Sequence, residues 1–325
     1  MKRNWWKEAV AYQVYPRSFN DSNGDGIGDL PGLIEKLDYL ENLGIDVIWL
    51  SPMYPSPNDD NGYDISDYKG IMSEFGTMND FDQLLSSIHQ RGMKLILDLV
   101  VNHTSDEHPW FIESKSSKTN AKRDWYIWAD PKPDGSEPNN WESIFNGSTW
   151  EFDESTKQYY FHLFSKKQPD LNWENPDVRQ AVFEMMNWWF EKGIDGFRVD
   201  AITHIKKNFE AGDLPVPDGK KFAPAFDVDM NQPGIQEWLQ EMKDKSLSRY
   251  DIMTVGEANG VTPNDAEEWV GEENGKFNMI FQFEHLGLWS TGDTKFDVKS
   301  YKQVLNRWQK QLENVGWNAL FIENH

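Results

Sequence analysis

The sequence predicts an α/β fold in which βα units wind around a parallel sheet. Two observations predict it: short β-branched or apolar runs alternate with amphipathic helical stretches, and glycines sit where those stretches should stop. Strands are expected near Ala9–Tyr15, Asp46–Leu50, Leu95–Val101, Gly196–Val199, Ile252–Gly256, Met279–Phe283 and Ala319–Ile322. Helical stretches between them include Leu30–Leu43, Phe81–Gly92, Val178–Lys192 and Tyr301–Val315, with Gly44, Gly92, Gly193 and Gly316 as stops. Seven strands are counted where a (β/α)8 TIM barrel needs eight, so the expectation is an incomplete barrel. Residues 1–103 would carry strands 1 to 3 and residues 173–325 strands 4 to 7. Residues 104–172 are too long for a βα loop and rich in Trp, Asn, Gly and Pro, which reads as a small domain inserted after the third strand. Gly212–Pro224 reads as an exposed loop, with turn chemistry in Pro217-Asp218-Gly219.

The chain has 325 residues, and Lys+Arg 32 against Asp+Glu 54 gives a net charge of −22, which disfavours nucleic acid and anionic membrane as partners. With Cys 0, no disulfide framework or thiolate chemistry is available. The basic start Met1-Lys2-Arg3 runs into Trp5-Trp6-Lys7-Glu8 rather than an apolar segment, so no signal peptide is read. No stretch approaches the roughly 18 apolar residues of a membrane span. A cytoplasmic protein is expected. Aromatic content is 14% with Trp 16, which suits a core and equally suits sugar binding, because flat apolar rings match the C–H face of a pyranose.

In a barrel of βα units the chemistry gathers at the C-terminal strand ends. Asp98 to His103 end the third strand; His103 alone reads as a structural hydrogen-bonder, and in combination as a hydroxyl contact. In Gly196-Phe197-Arg198-Val199-Asp200-Ala201 the strand alternation points Arg198 and Asp200 the same way. The adjacent cation favours an ionised carboxylate, as a nucleophile requires, although a structural ion pair has the same pattern. Glu257 follows the apolar strand Ile252–Gly256, and an acid beside apolar surface tends towards a raised pKa that suits a general acid. Asn324-His325 end the seventh run. Paired carboxylates from different strands are the equipment of retaining glycoside hydrolysis.

Separately, Asp21, Asn23, Asp25, Ile27 and Asp29 place oxygen ligands at alternating positions between glycines. That pattern predicts a structural calcium loop without the distal Glu of an EF-hand, and an Asx-rich turn is the alternative. No organic cofactor is expected.

Taken together, Tyr15–Phe19, Asp98–His103, Gln168–Asn172, Gly196–Ala201, Gly256–Asn259 and Glu323–His325 resemble the α-glucosidase and oligo-1,6-glucosidase group of glycoside hydrolase family 13, the α-amylase superfamily. The resemblance implies Asp200 as nucleophile and Glu257 as acid/base. It implies that Tyr63 stacks on the sugar, that Asp60, His103, Arg198 and His325 bind its hydroxyls, and that Phe145, Phe164 and Gln168 shape the pocket. Asn259 belongs to the same motif set. Within the group Val after the nucleophile accompanies α-1,6 cleavage and Ala or Thr accompanies α-1,4, so Ala201 points to maltose-like substrates. The substrate is expected to be a disaccharide or short oligosaccharide. Alternatives are an oligo-1,6- or dextran glucosidase, a sucrose isomerase, a trehalose-6-phosphate hydrolase (disfavoured by Ala201 and the lack of a basic phosphate cluster) and a non-catalytic sugar-binding barrel. The family's aspartate after Asn-His, its eighth strand and its C-terminal β-domain lie past His325, so the chain is expected to be a fragment with weak activity by itself. The longer form is expected to be a monomer or dimer.

Overall fold

A computed structural model describes residues 4–288 and 297–322. Six strands form a parallel sheet in the order β1 (Ala11–Val14), β2 (Val47–Leu50), β3 (Lys94–Val100), β7 (Gly196–Asp200), β8 (Met253–Ala258) and β9 (Met279–Gln282). The strands β4 (Trp128–Ala129), β5 (Trp150–Asp153) and β6 (Gln158–Phe161) make a separate antiparallel sheet, ordered β4-β6-β5, between β3 and the helix Pro176–Lys192.

Helices complete the crossovers, and their ends follow local chemistry. Thr77 and Asp80 form a reciprocal capping box at the start of Met78–Gln90. Asn175 caps Pro176–Lys192, which Gly193 closes in the left-handed conformation at φ 105°. The stretch expected as one helix from Leu30 is two, Leu30–Glu35 and Leu37–Leu43, divided at Lys36. Gly316 does not close the last helix: Val298–Leu312 is followed by Asn314 at φ 63°, and Gly316 instead pairs with Gly271. Asn is one of the few residues besides Gly that enter the left-handed region, and here Asn314 takes the turn before Gly316 is reached.

Strand alternation sorts the sheet into two faces. One face, with Ile48, Leu50, Leu97, Leu99, Phe197 and Val199, is buried in the main core together with helix residues such as Phe81, Leu84 and Trp189. On the other face Val47, Ile96, Met253, Val255 and Met279 form a smaller apolar cluster with Trp6. Further along the same in-phase positions come Asp98, Arg198, Asp200 and Glu257. The inner face therefore changes from apolar to charged along its strands.

The strand expected at Ala319–Ile322 does not form within the described residues: the segment carries no ladder. It meets β9 through rings, Phe321 lying 5.0 Å from Phe281, while Leu320 and Ile322 are 71% and 66% exposed. A strand of a parallel sheet is normally covered on both faces, and one face of this run stays in water. Its neighbours Gly316 to Phe321 line, with Trp6, Trp49, Met253 and Phe281, a cavity of about 840 Å3.

Gly196 fixes the approach of β7 to β8. Its φ is 152°, and a Cβ there would lie 1.8 Å from the Met253 carbonyl oxygen. Gly196→Ala should therefore lower stability by about 3 kcal/mol or more, read by chemical denaturation. A loss below about 1 kcal/mol would show that the two strands can separate freely.

Candidate active site

The registers bring the charged residues of the inner face side by side. Asp98 pairs with Arg198 across β3 and β7, and Arg198 pairs with Val255 across β7 and β8. Arg198 Nη1 donates to Asp98 Oδ1 at 2.7 Å and to Asp200 Oδ1 at 2.6 Å, and Nη2 donates to Glu257 Oε2 at 2.6 Å. One guanidinium, its side chain 4% exposed, thus touches three carboxyl groups. The backbone N–H of Ala201 also donates to Glu257 Oε2, at 3.1 Å. Ala201 adopts φ 44° in the left-handed region. Asp98 is fully buried, and its other oxygen accepts from Trp49 Nε1 and the Tyr63 hydroxyl, each at 3.0 Å.

Burial raises the pKa of Asp98, Asp200 and Glu257, and in each case it outweighs the lowering by Arg198. Arg198 lowers the Asp200 pKa, as the sequence leads one to expect, but burial outweighs it and the net shift is upward. With all three ionised the group would carry a net charge of −2, which a buried site resists. The mutual influence of Asp200 and Glu257 lowers the pKa of Asp200 and raises that of Glu257, the sense that favours the proton on Glu257.

A second chain of contacts runs outward. Gln168 Nε2 donates to Asp60 Oδ2 at 2.9 Å and lies 3.1 Å from His103 Nε2. His103 is buried, which pushes its pKa down to about 4 and keeps the ring neutral. Phe164 packs 5.0 Å from His103, and Phe145 packs 5.7 Å from Phe164. Asp60 and Tyr63 line a cavity of about 470 Å3 with Gln13, Tyr15 and Asn61. Phe145 and Phe164 line another of about 350 Å3, bordered by Asp59. Asn259 stands two residues beyond Glu257; its carbonyl accepts from Asn231 Nδ2 at 3.0 Å, and among the described residues no contact joins its side chain to the carboxylates. His325 lies outside the described residues.

Sequence reasoning missed Trp49 and the full role of Asp98. Asp98 was in a recognised motif, but its place beside Arg198 depends on pairing between strands 100 residues apart.

The acidic loop after β1 fits calcium only in part. Asp21 accepts from the backbone N–H groups of Asn23, Gly24 and Gly26, and Asn23 and Asp25 accept from the residue two further on. Asp25 Oδ2, the second lone pairs of the accepting oxygens and the Ile27 carbonyl are chemically suited to a hard cation. Asp29 does not fit the set: it caps the helix at Leu30 through Gly32 N–H and takes the Ser22 hydroxyl. Among the described residues no group of three or more acidic or imidazole side chains is arranged to hold a metal ion.

The carboxylate cluster sets a stability test. Asp200→Asn removes one of three competing negative charges and should raise the melting temperature. Arg198→Met strands all three and should cost about 3–5 kcal/mol. Thermal and denaturant unfolding of the two variants check this; a destabilised Asp200→Asn would contradict it.

Comparison with known proteins agrees with this geometry. Residues 13–325 match the family model for the alpha-amylase catalytic domain. The chain is 64% identical over 326 residues to a probable oligo-1,6-glucosidase 3 of Bacillus subtilis (strain 168), covering 100% of this chain and 59% of that protein. It is 59% identical over 330 residues to the oligo-1,6-glucosidase of Parageobacillus thermoglucosidasius, covering 100% and 58%. Among solved structures, the trehalose-6-phosphate hydrolase TreA of Bacillus licheniformis superposes with a TM-score of 0.92 at 49% identity, covering 99% of this chain and 58% of that one. Isomaltulose synthase of Erwinia rhapontici NX5 gives 0.93 at 45%, with the same coverage. The chain thus spans 59% and 58% of the length of the two glucosidases. By motif, fold and alignment over nearly its whole length, this chain belongs to the alpha-amylase catalytic domain family, a (β/α)8 barrel family of which the described residues form six parallel strands.

Proposed function

We propose retaining hydrolysis of terminal α-linked glucose from disaccharides and short oligosaccharides, performed by the protein to which this chain belongs. The observation that carries the reading is Arg198 in contact with both Asp200 and Glu257 at the ends of adjacent strands. Glu257 gives its proton to the glycosidic oxygen as the Asp200 carboxylate attacks the anomeric carbon; the old C–O bond breaks and a glucosyl–Asp200 ester forms. Glu257, now ionised, takes a proton from water, the hydroxide attacks the same carbon, and Asp200 leaves as a carboxylate. Tyr63 stacks on the sugar, and Asp60, His103, Arg198 and His325 take its hydroxyls. Phe145, Phe164, Gln168 and Asn259 border the pocket. A cytoplasmic location belongs to the same proposal. Among the described residues no helix is long and apolar enough to cross a membrane.

Release of p-nitrophenol from p-nitrophenyl α-glucoside tests the assignment. Asp200→Asn should abolish it by about 10⁴-fold or more. Glu257→Gln should spare this activated leaving group more than it spares a natural disaccharide, because p-nitrophenolate leaves without protonation. Equal losses on both substrates would remove Glu257 from the acid role. Asp200 must be ionised and Glu257 protonated, and burial raises both pKa values. Activity should therefore rise with pH above the ordinary aspartate value near 3.8 and fall again above the ordinary glutamate value near 4.5.

For linkage, Ala201 supports α-1,4 bonds while the names of the most similar relatives support α-1,6. A Val at φ 44° is strained, so Ala201→Val would alter the pocket wall and the backbone together. We expect it to move the isomaltose-to-maltose ratio of kcat/KM upward by about ten-fold, within the range a methyl-scale change can reach. An unchanged ratio would show that residue 201 does not set linkage.

Calcium at Asp21, Asn23, Asp25 and the Ile27 carbonyl is proposed as a structural ion without Asp29. A chelator should lower the melting temperature and added calcium restore it; indifference to both would leave the loop as an Asx-rich turn.

A further inference from the structure

At the base of the sheet, away from the carboxylates, lies a cavity of about 340 Å3. Thr254 near the start of β8 and Asn278 just before β9 line it, whereas Glu257 stands near the other end of β8. In a chain of net charge −22, its wall carries Lys7, Lys243 and Lys276 against the acids Glu272 and Glu273. Lys7 is already matched: it pairs with Glu272, and its Nζ lies 5.5 Å from the Trp6 ring and 5.6 Å from the Trp317 ring. Glu273 is exposed, so water screens it.

Lys243 and Lys276 are the unmatched charges. Lys243, in the last turn of the helix Ile235–Lys245, donates from Nζ to the Gly275 carbonyl at 2.7 Å. Lys276 Nζ donates to the Asn274 carbonyl at 2.8 Å. Both ammonium groups are thus tied to neighbouring carbonyls of one turn, and among the described residues neither forms an ion pair. An ammonium has three hydrogens, so two remain on each. Burial pushes the Lys276 pKa down and nearby Lys243 pushes it the same way, against the opposing pull of Glu268 and Asp244. An anion between the two ammonium groups would relieve their repulsion.

Asn278 supplies a neutral donor whose direction is fixed. The Thr254 backbone N–H and hydroxyl both donate to Asn278 Oδ1, at 2.7 Å and 3.1 Å. A backbone N–H can only donate, so the amide oxygen faces Thr254 and the NH2 faces away from it. Among the described residues that NH2 has no partner. Tyr250 adds a hydroxyl to the same cavity.

We propose that this cavity binds a phosphate group, free or carried on a small molecule, through Lys243, Lys276 and Asn278. A tetrahedral oxyanion suits it because acceptor oxygens on one centre can meet donors from several directions. The volume falls at the lower end of small-ligand pockets, about 300–1,000 Å3, which leaves room for a small phosphomonoester as well as the bare ion. The site lies apart from the carboxylate cluster and stands whether or not the glucosidase reading holds.

Isothermal titration calorimetry of the purified chain with sodium phosphate, at an ionic strength held constant with sodium chloride, tests the site. Saturable one-to-one binding is expected. Lys243→Gln and Lys276→Gln should each weaken it about ten-fold, the scale of one charge-assisted hydrogen bond, and the double variant should abolish it. Asn278→Asp keeps an acceptor for Thr254 but puts a carboxylate oxygen in place of the NH2, and should weaken binding at least as much. Lys157→Gln removes an exposed lysine of the inserted segment and should change nothing, which controls for overall charge. Phosphate should also raise the melting temperature of the native chain and of Lys157→Gln, but not that of the double variant. Glucose 6-phosphate separates the two sources: tighter binding than phosphate assigns the site to a phosphorylated small molecule, equal or weaker binding to the free ion. No saturable binding of either probe, an unchanged affinity in the double variant, or an equal loss in Lys157→Gln would overturn the proposal.

Discussion

One cation among three buried carboxyl groups is the constraint on which this structure turns. Arg198 cannot release its proton and cannot be matched one to one, so the excess negative charge must be relieved by a proton held within the group. Asp98 spends its second oxygen on Trp49 and Tyr63 and is sealed from solvent. Asp200 and Glu257 stand at the strand ends, where the proposed function has Asp200 ionised and Glu257 protonated. That division of labour gives one acid and one carboxylate from chemically similar groups, the arrangement that glycosyl transfer to and from an enzyme carboxylate requires.

Such a cluster is tolerable only on a rigid support. The three strands that carry it lie in the order β3, β7, β8, and every residue of β7 is buried. At the opposite end of the same face, Ile96, Met253 and Val255 pack with Trp6, so apolar burial at the base holds the register that the charged rim needs. The absence of a side chain at Gly196 lets β7 sit closely against β8. Favourable packing is thus placed away from the chemistry, and the unfavourable charge is concentrated where function uses it.

Much of this was legible in the sequence because it was local. Alternation put Arg198 and Asp200 on one face, and glycines such as Gly193 marked helix ends around them. What was not legible depended on partners far along the chain. The burial that raises the Asp200 pKa comes from its neighbouring strands, so reading Arg198 alone gave the opposite sign. Asp29 has the spacing of a ligand, but a helix that begins at the next residue claims it as a cap. Ala319–Ile322 has the composition of a strand, yet strand formation depends on what covers both faces, and Leu320 and Ile322 remain in water.

The central claim is that Asp200 becomes covalently bound to glucose while Glu257 handles the proton. Trapping with 5-fluoro-α-D-glucosyl fluoride, followed by digestion and mass spectrometry, examines it most directly, because the electron-poor sugar slows release of the ester more than its formation. The account predicts a fluoroglucosyl adduct on the peptide containing Asp200, fragmenting to that residue and absent from Asp200→Asn. An adduct on Glu257, or inversion at the anomeric carbon with no adduct on any residue, would contradict it.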